Sequence, residues 1–222
     1  MCDKKFDNET LTKSFHKIIA GNQAWSKEVE EDKTGLFTEL AKGQHPDLLW
    51  IGCSDSRVPA NQITGTRPGD VFVHRNVANL CVHSDMNMLS VLDFAVNILK
   101  VKHVIVAGHY RCGGITAAMG QKQYGLLDNW LRHLKDVYRT HAQELNAISD
   151  LQKREDRFVE LNVIEQVSNL CKTTIVQNAW KQRDDLAIHG MIIQLETGKL
   201  IDLNVTATNV DQQLGEYYQL NK

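Results

Sequence analysis

Apolar residues fall along this chain in two kinds of run, and together they predict the order of elements. Asp47 to Cys53, Val71 to Val73 and Val101 to Ala107 are short apolar stretches that stop at polar loops, and they predict strands. Between them the apolar positions change to helical spacing. Leu36, Phe37, Leu40 and Ala41 predict a short helix, capped by Thr34 and stopped at Gly43. Pro59 suits the first turn of another. Met88, Val91, Leu92, Ala95, Ile98 and Leu99 form one face of a longer helix that Ser84 is placed to cap. Strand, helix, strand at these lengths predicts a parallel crossover.

The flanks follow the same logic. Leu11, Phe15, Ile18 and Ile19 predict an amphipathic helix ahead of the first strand, with Trp25 after it. Gly113-Gly114 opens a helix through Ile115, Ala118 and Met119, and Leu126 to Leu145 is a second. Leu145 to Arg157 is polar and reads as an irregular connection, after which Phe158 to Cys171 and Thr173 to Trp180 are periodic again. Ile188 to Leu195 and Leu200 to Val205 flank Glu196-Thr197-Gly198-Lys199 as a β-hairpin with glycine at the turn. Asn209 to Leu220 is a weak terminal helix. The predicted fold is α/β: a central, mainly parallel β-sheet flanked by helices, with an N-terminal helical arm and a C-terminal hairpin and helix. One domain is expected over 1–222, with the arm at 1–33, the core at 34–205 and the last helix at 206–222.

Composition narrows the function class. A formal net charge of −2, with Lys and Arg scattered, gives no basic surface for nucleic acid or an anionic membrane. No apolar run approaches the roughly 20 residues that span a bilayer. The first residues lack the apolar core of a secretion signal and are too acidic for a good transit peptide. Five cysteines, an odd number without disulfide-like spacing, suit a reducing compartment, and a cytoplasmic location is expected. Cys81 and Cys171 read as core residues and Cys2 as a terminal thiol.

Two loops carry chemistry. The first apolar strand runs into Cys53-Ser54-Asp55-Ser56-Arg57, which places a thiol, a carboxylate and a guanidinium at i, i+2 and i+4. The third runs into His109-Tyr110-Arg111-Cys112-Gly113-Gly114, where H-x-x-C spacing lets one loop offer an imidazole and a thiolate to one metal ion. Cys53, His109 and Cys112 make a Cys₂His set that leaves one position of a tetrahedral zinc site open, which is the layout of catalytic zinc. Both loops leave the carboxyl ends of predicted strands, where open α/β sheets place ligands. Arg57 can bind a carboxylate through two parallel hydrogen bonds. That leaves Asp55 open to three roles: fourth ligand, base, or orienter of a metal-bound water.

C-x-D-S-R followed by H-x-x-C-G-G resembles the β-class carbonic anhydrases. Gln44 in Ala41-Lys42-Gly43-Gln44 and the block Phe72-Val73-His74-Arg75-Asn76-Val77-Ala78-Asn79 extend the resemblance, which covers residues from about 20 to 205. It implies a bacterial-type zinc lyase that hydrates carbon dioxide to bicarbonate and a proton, through zinc-bound hydroxide, with one Zn²⁺ per subunit. Asp55 and Arg57 then decide whether the fourth zinc position holds water or carboxylate. Gln44 resembles the family's donor to a substrate oxygen, backbone N–H groups of Gly113 and Gly114 face developing negative charge, and Phe72, Val77 and Leu80 are candidate walls. The resemblance also implies a homodimer or homotetramer, with the N-terminal arm lying on a neighbouring subunit. Trp50 and Arg75 match positions of a pH- and bicarbonate-switchable subset, while Ile193 stands where that subset has Tyr. Phe94 stands where some relatives carry a Tyr near the site, and His74, His83, His103 and His133 are candidate proton shuttles that no spacing fixes. Two competing functions keep part of this pattern: hydrolysis of carbon disulfide or carbonyl sulfide on the same fold, and a non-catalytic zinc or thiol protein.

Overall fold

The computed structural model describes residues 8–32, 34–210 and 214–220, in two units that meet at Gln44 and His45. The first unit holds Asn8–Glu31 (α1) and Leu36–Leu40 (α2). α1 is one helix that carries Trp25 within it and turns Leu11, Phe15, Ile18 and Ile19 to solvent. Trp25 meets Phe37 edge to face at 5.5 Å, which fixes α2 against α1. Thr34 Oγ1 accepts the Leu36 N–H at 3.3 Å, and Gly35 supplies the left-handed residue, at φ 66°, from which α2 starts.

The second unit runs β1 (Leu48–Cys53), α3 (Ala60–Thr64), β2 (Val71–Asn76), α4 (Met86–Asp93), β3 (His103–His109), α5 (Gly113–Met119), α6 (Leu127–Thr140), α7 (Ala142–Ala147), α8 (Leu151–Cys171), α9 (Thr174–Gln182), β4 (Ala187–Gln194) and β5 (Lys199–Asp202). Its five strands lie in the order β2-β1-β3-β4-β5, the first four parallel and β5 antiparallel to β4. β1 and β3 are interior strands buried almost throughout, which is why they read as continuous apolar runs rather than alternating ones. From β1 the chain adds β2 on one side, then crosses to add β3 on the other. The sheet therefore reverses its winding between β1 and β3, and a crevice forms outside their carboxyl ends.

α8 lies tight on β3 and β4 because glycines let it. A Cβ at Gly108 would stand 2.6 Å from Val163 Cγ2, and one at Gly190 would stand 3.0 Å from Val163 Cγ1 and 2.6 Å from Val205 Cγ2. Gly190→Ala is expected to cost about 1–3 kcal/mol by overpacking. That lowers Tm by several degrees, at roughly 2–4 °C per kcal/mol for a chain of this size. Calorimetry checks it, and an unchanged Tm would mean that α8 can slide outward freely.

The structure departs from the sequence expectations in four places. Leu145 to Arg157 is not an irregular connection: α8 begins at Leu151, and Asp150 caps it by accepting the Lys153 N–H at 2.9 Å. Its first turns look polar because they carry ion pairs, Arg157 with Glu144 at 2.5 Å and with Glu160 at 2.7 Å. The stretch from Leu126 to Leu145 is broken at His141 into α6 and α7. Asp85, not Ser84, caps α4, whose end widens into a π-helical turn over Phe94–Ile98 and leaves Phe94 and Ile98 exposed. The described part of the expected C-terminal helix holds one 3₁₀ turn, Glu216–Tyr218, while residues 211–213 and 221–222, like Cys2, lie outside the described residues.

Candidate metal centre

Cys53 is the last residue of β1 and His109 the last of β3, so pairing of these two strands brings a thiol and an imidazole together. Cys112 follows after a tight loop in which Arg111 takes φ 60°, and it precedes the first turn of α5. All three side chains are buried, and their donor atoms lie within 4.8 Å of one another. The two sulfurs are 4.0 Å apart. Thiolates held at about 2.3 Å by a tetrahedral zinc ion sit about 3.8 Å apart, so little movement is needed. Tyr110 O can only accept, so His109 Nδ1 donates to it at 2.9 Å, and Nε2 carries the lone pair. That Nε2 is buried without any hydrogen-bond partner. An orphaned, buried lone pair beside two thiols is the donor set of a borderline-soft dication, and zinc fits it.

The thiols are prepared for a cation. The hydrogen bond shared with Cys112 lowers the Cys53 pKa against the opposing effect of burial, with help from the backbone N–H groups of Ala78 and Asp55. The same bond, with burial, holds Cys112 protonated against the N–H groups of Ile115 and Gly114. A dication held by both sulfurs needs both as thiolates, so its binding displaces the protons they carry. Burial alone would lower the His109 pKa, but the Cys53 thiolate outweighs it and raises it. Metal uptake must thus compete with protons. The remaining described thiols are different: burial pushes Cys171 up to about 12 and Cys81 higher still, which makes both inert.

Asp55 faces this cluster but is gripped from behind. Arg57 donates its backbone N–H and Nε to Oδ1, each at 2.9 Å, and Nη2 to Oδ2 at 2.7 Å. Arg57 Nη2 also reaches Arg111 O at 3.1 Å, which ties the two loops. Those bonds hold the Asp55 carboxyl well below the usual carboxylate range. Its Oδ2 stands 3.8 Å from His109 Nε2, close to the space a metal would take. Arg75 braces the same loop from β2, with Nε on Cys53 O at 2.9 Å and Nη2 on Asp55 O. Trp50 is fully buried, its indole against Gly52.

A third loop completes the surroundings. Ala78 and Asn79 take φ 65° and 49°, left-handed values that cost non-glycine residues about 1–2 kcal/mol each. Their turn is held all round. Asn76 donates to Leu80 O and accepts from Leu80 N, both at 2.7 Å, Trp130 Nε1 donates to Val77 O at 2.8 Å, and Asn162 Nδ2 donates to Ala78 O at 3.1 Å. The Ala78 N–H is thereby aimed at Cys53 Sγ, 3.4 Å away. Sequence reading did not find Asn162 or Trp130, because no local pattern links them to a turn about 50 to 85 positions earlier.

Residues 48–200 match the family model described as carbonic anhydrase. A carbonic anhydrase of Emericella nidulans is 43% identical over 220 residues, covering 99% of this chain and 96% of that protein. A tetrameric β-carbonic anhydrase of Sordaria macrospora superposes with a TM-score of 0.84 at 40% identity, covering 88% of this chain and 99% of that one. The chain belongs to the β-class carbonic anhydrases. Another β-carbonic anhydrase, from Coccomyxa and solved with acetazolamide, superposes equally well at a TM-score of 0.84 and 36% identity, over 88% of each chain. β-Carbonic anhydrases are zinc enzymes that hydrate carbon dioxide, and zinc is the cofactor here.

The remaining expectations for this β-carbonic anhydrase fall into place unevenly. Val77 packs beside the metal cluster, where a Cβ on Gly114 would stand 3.1 Å from Val77 Cγ1 and from Ala78 Cβ. Phe72 stacks on the exposed Phe94 at 5.8 Å. Gly113 and Gly114 form the first turn of α5, directly after Cys112. Gln44 is exposed and belongs to the first unit, whereas the cluster belongs to the second. Among the candidate shuttles, His74 is buried against Asn76, His83 bonds Asn169 O, His133 packs on Trp130, and His103 begins the strand that His109 ends.

Proposed function

We propose that Cys53, His109 and Cys112 hold the zinc ion, and that Asp55, gripped by Arg57, orients the water that adds to carbon dioxide. The observation that carries this reading is the orphaned His109 Nε2 beside two buried sulfurs, with a clamped carboxylate oxygen 3.8 Å away. Bound zinc supplies Lewis acidity that lowers the pKa of a water molecule. The residues of the chain do the rest. Two thiolates and one imidazole leave a single position open. Asp55 Oδ2, 3.8 Å from His109 Nε2, would accept a hydrogen bond from a water held beside the three ligands and so orient it for addition to carbon dioxide. Arg57 holds the carboxylate so that it orients rather than ligates. Val77 gives an apolar wall, which suits an uncharged substrate. Removing zinc by chelation and restoring it tests the reading: hydration of carbon dioxide should vanish and return with one zinc per chain. Full turnover in the zinc-free protein would sink it.

Two thiolates neutralise the dication and weaken its Lewis acidity, so the rate is expected to fall as pH drops below about 8. Asp55 does not set that limb while Arg57 holds it. Its depressed pKa keeps it ionised at neutral pH, and its contribution to stability is lost only as pH falls through that low folded value. Arg75 matches the switchable subset, but its Nε and Nη2 are committed to Cys53 O and Asp55 O. Ile193, where that subset has Tyr, is buried in β4. Bicarbonate inhibition is therefore expected to be weak. Rates measured across pH, with and without added bicarbonate at constant ionic strength, check both expectations. Full rate at neutral pH would overturn the first and strong cooperative inhibition the second.

The exposed apolar stripe of α1 and the tetrameric state of the Sordaria macrospora relative support a homo-oligomer, dimer or tetramer. The four thiols among the described residues are free and buried, which suits a reducing compartment, and the cytoplasm is the proposed location.

A further inference from the structure

We propose that Asn162, on α8, is a positioning residue that tunes the metal centre through the backbone N–H of Ala78. The inference rests on the reading of Cys53 as a zinc ligand and goes beyond it.

Three observations carry it. First, the Ala78 N–H reaches Cys53 Sγ at 3.4 Å only because Ala78 and Asn79 stand in left-handed conformations that neither residue prefers. Second, those conformations are held by groups from far along the chain. Asn162 Nδ2 grips Ala78 O at 3.1 Å, and Asn162 is itself 1% exposed. Its Oδ1 accepts from Gln166 Nε2 at 3.0 Å, while Gln166 Oε1 accepts the Cys81 N–H at 2.8 Å. These bonds fix which way both amides face, so Asn162 has only its NH₂ to offer Ala78. One turn of α8 thus grips the 78–81 loop at both ends. Third, the opposite side of the turn has little room. A Cβ on Gly114 would stand 3.1 Å from both Val77 Cγ1 and Ala78 Cβ, so any residue but glycine there would crowd the turn. Ala78 therefore has one place to stand, with its N–H on the sulfur.

A hydrogen bond to a metal-bound thiolate withdraws electron density from the sulfur. It weakens donation to the metal and leaves more positive charge there for the water. The Ala78 amide works against the loss of Lewis acidity that two thiolates impose, and Asn162 keeps it in place. Asn162 touches neither metal nor substrate, so its effect should appear first in the metal–sulfur bond.

The test compares Asn162→Asp, which keeps the shape but cannot donate to Ala78 O, with Trp130→Phe, which keeps a ring but loses the bond to Val77 O. Each protein is loaded with Co²⁺, and its thiolate-to-metal charge-transfer band is recorded. Zinc affinity is measured by chelator competition, and exchange of the Ala78 amide is followed by NMR in the zinc-loaded protein. In both variants the charge-transfer band should shift, Ala78 exchange should speed up at least about tenfold, and zinc affinity should change by roughly 10- to 100-fold. If Asn162→Asp fails to fold, Asn162→Ser, which is too short to reach Ala78 O, carries the same readouts. A folded Asn162 variant with an unshifted band and a fully protected Ala78 amide overturns the proposal. Cys53→Ser, run alongside, addresses the underlying reading separately: full zinc in that protein would refute the ligand assignment, while Ala78 exchange in the Asn162 variants would still report whether the turn depends on Asn162.

Discussion

Cys112→Ser is expected to lose zinc and carbon dioxide hydration together. The substitution changes one buried atom, so the fold has little reason to respond: Cys112 is 2% exposed and leads directly into α5. The metal does respond. A serine hydroxyl stays protonated where a thiolate forms, and only two protein ligands remain. Four-ligand zinc sites bind with about 10–16 kcal/mol at neutral pH, so one ligand is worth roughly 3–4 kcal/mol. That is a loss of several hundredfold in affinity. Metal analysis after dialysis, with the rate measured on the same sample, should show both quantities falling in proportion. A Cys112→Ser protein with one zinc per chain and full turnover would remove Cys112 from the site.

Arg57→Ala should separate the two quantities. None of the three ligands is touched, so zinc should remain. What changes is Asp55, which loses two side-chain hydrogen bonds and keeps only the Arg57 backbone N–H. A carboxylate 3.8 Å from His109 Nε2 and no longer held from behind is expected to ligate the metal and close the open position. If direct coordination is favoured by roughly 3 kcal/mol, about one molecule in a hundred stays open, and the rate falls about 100-fold. Because Arg57 also bonds Arg111 O, the H-x-x-C loop should loosen too. Zinc stoichiometry, rate and a crystal structure of the variant together decide the matter. A structure with Asp55 off the metal and a normal rate would show that Arg57 is dispensable.

How much of this was legible beforehand depends on whether the signal is local. β1 and β3 announced themselves because interior parallel strands are apolar on both faces. The ligands were legible for the same reason, since each loop hangs from the end of such a strand. The Asp55–Arg57 clamp was legible because both partners lie within one short loop. The polar first turns of α8 misled because ion pairs from Arg157 to Glu144 and Glu160 replace an apolar face there. The left-handed Ala78-Asn79 turn was invisible, since neither residue is a glycine and the grip that holds it comes from Asn162 and Trp130. Arg75 was legible only as a match to the switchable subset; that its side chain bonds the backbone of the Cys53–Asp55 loop was not, because the contact joins two strands about 20 positions apart.

The two sulfurs are 59 positions apart in sequence and 4.0 Å apart in space. A cation shared between them therefore acts as a staple as well as a catalyst. It closes a loop that contains β2, α4 and β3, and it clamps the two central strands at the end where the sheet reverses its winding. By the chain-entropy argument used for disulfides, a cross-link spanning a loop of that length restricts the unfolded chain by about 4 kcal/mol. Unlike a disulfide, this one opens when acid protonates its thiolates and re-forms without any redox partner. Loading with metal and resistance to unfolding should therefore rise and fall together along a pH titration.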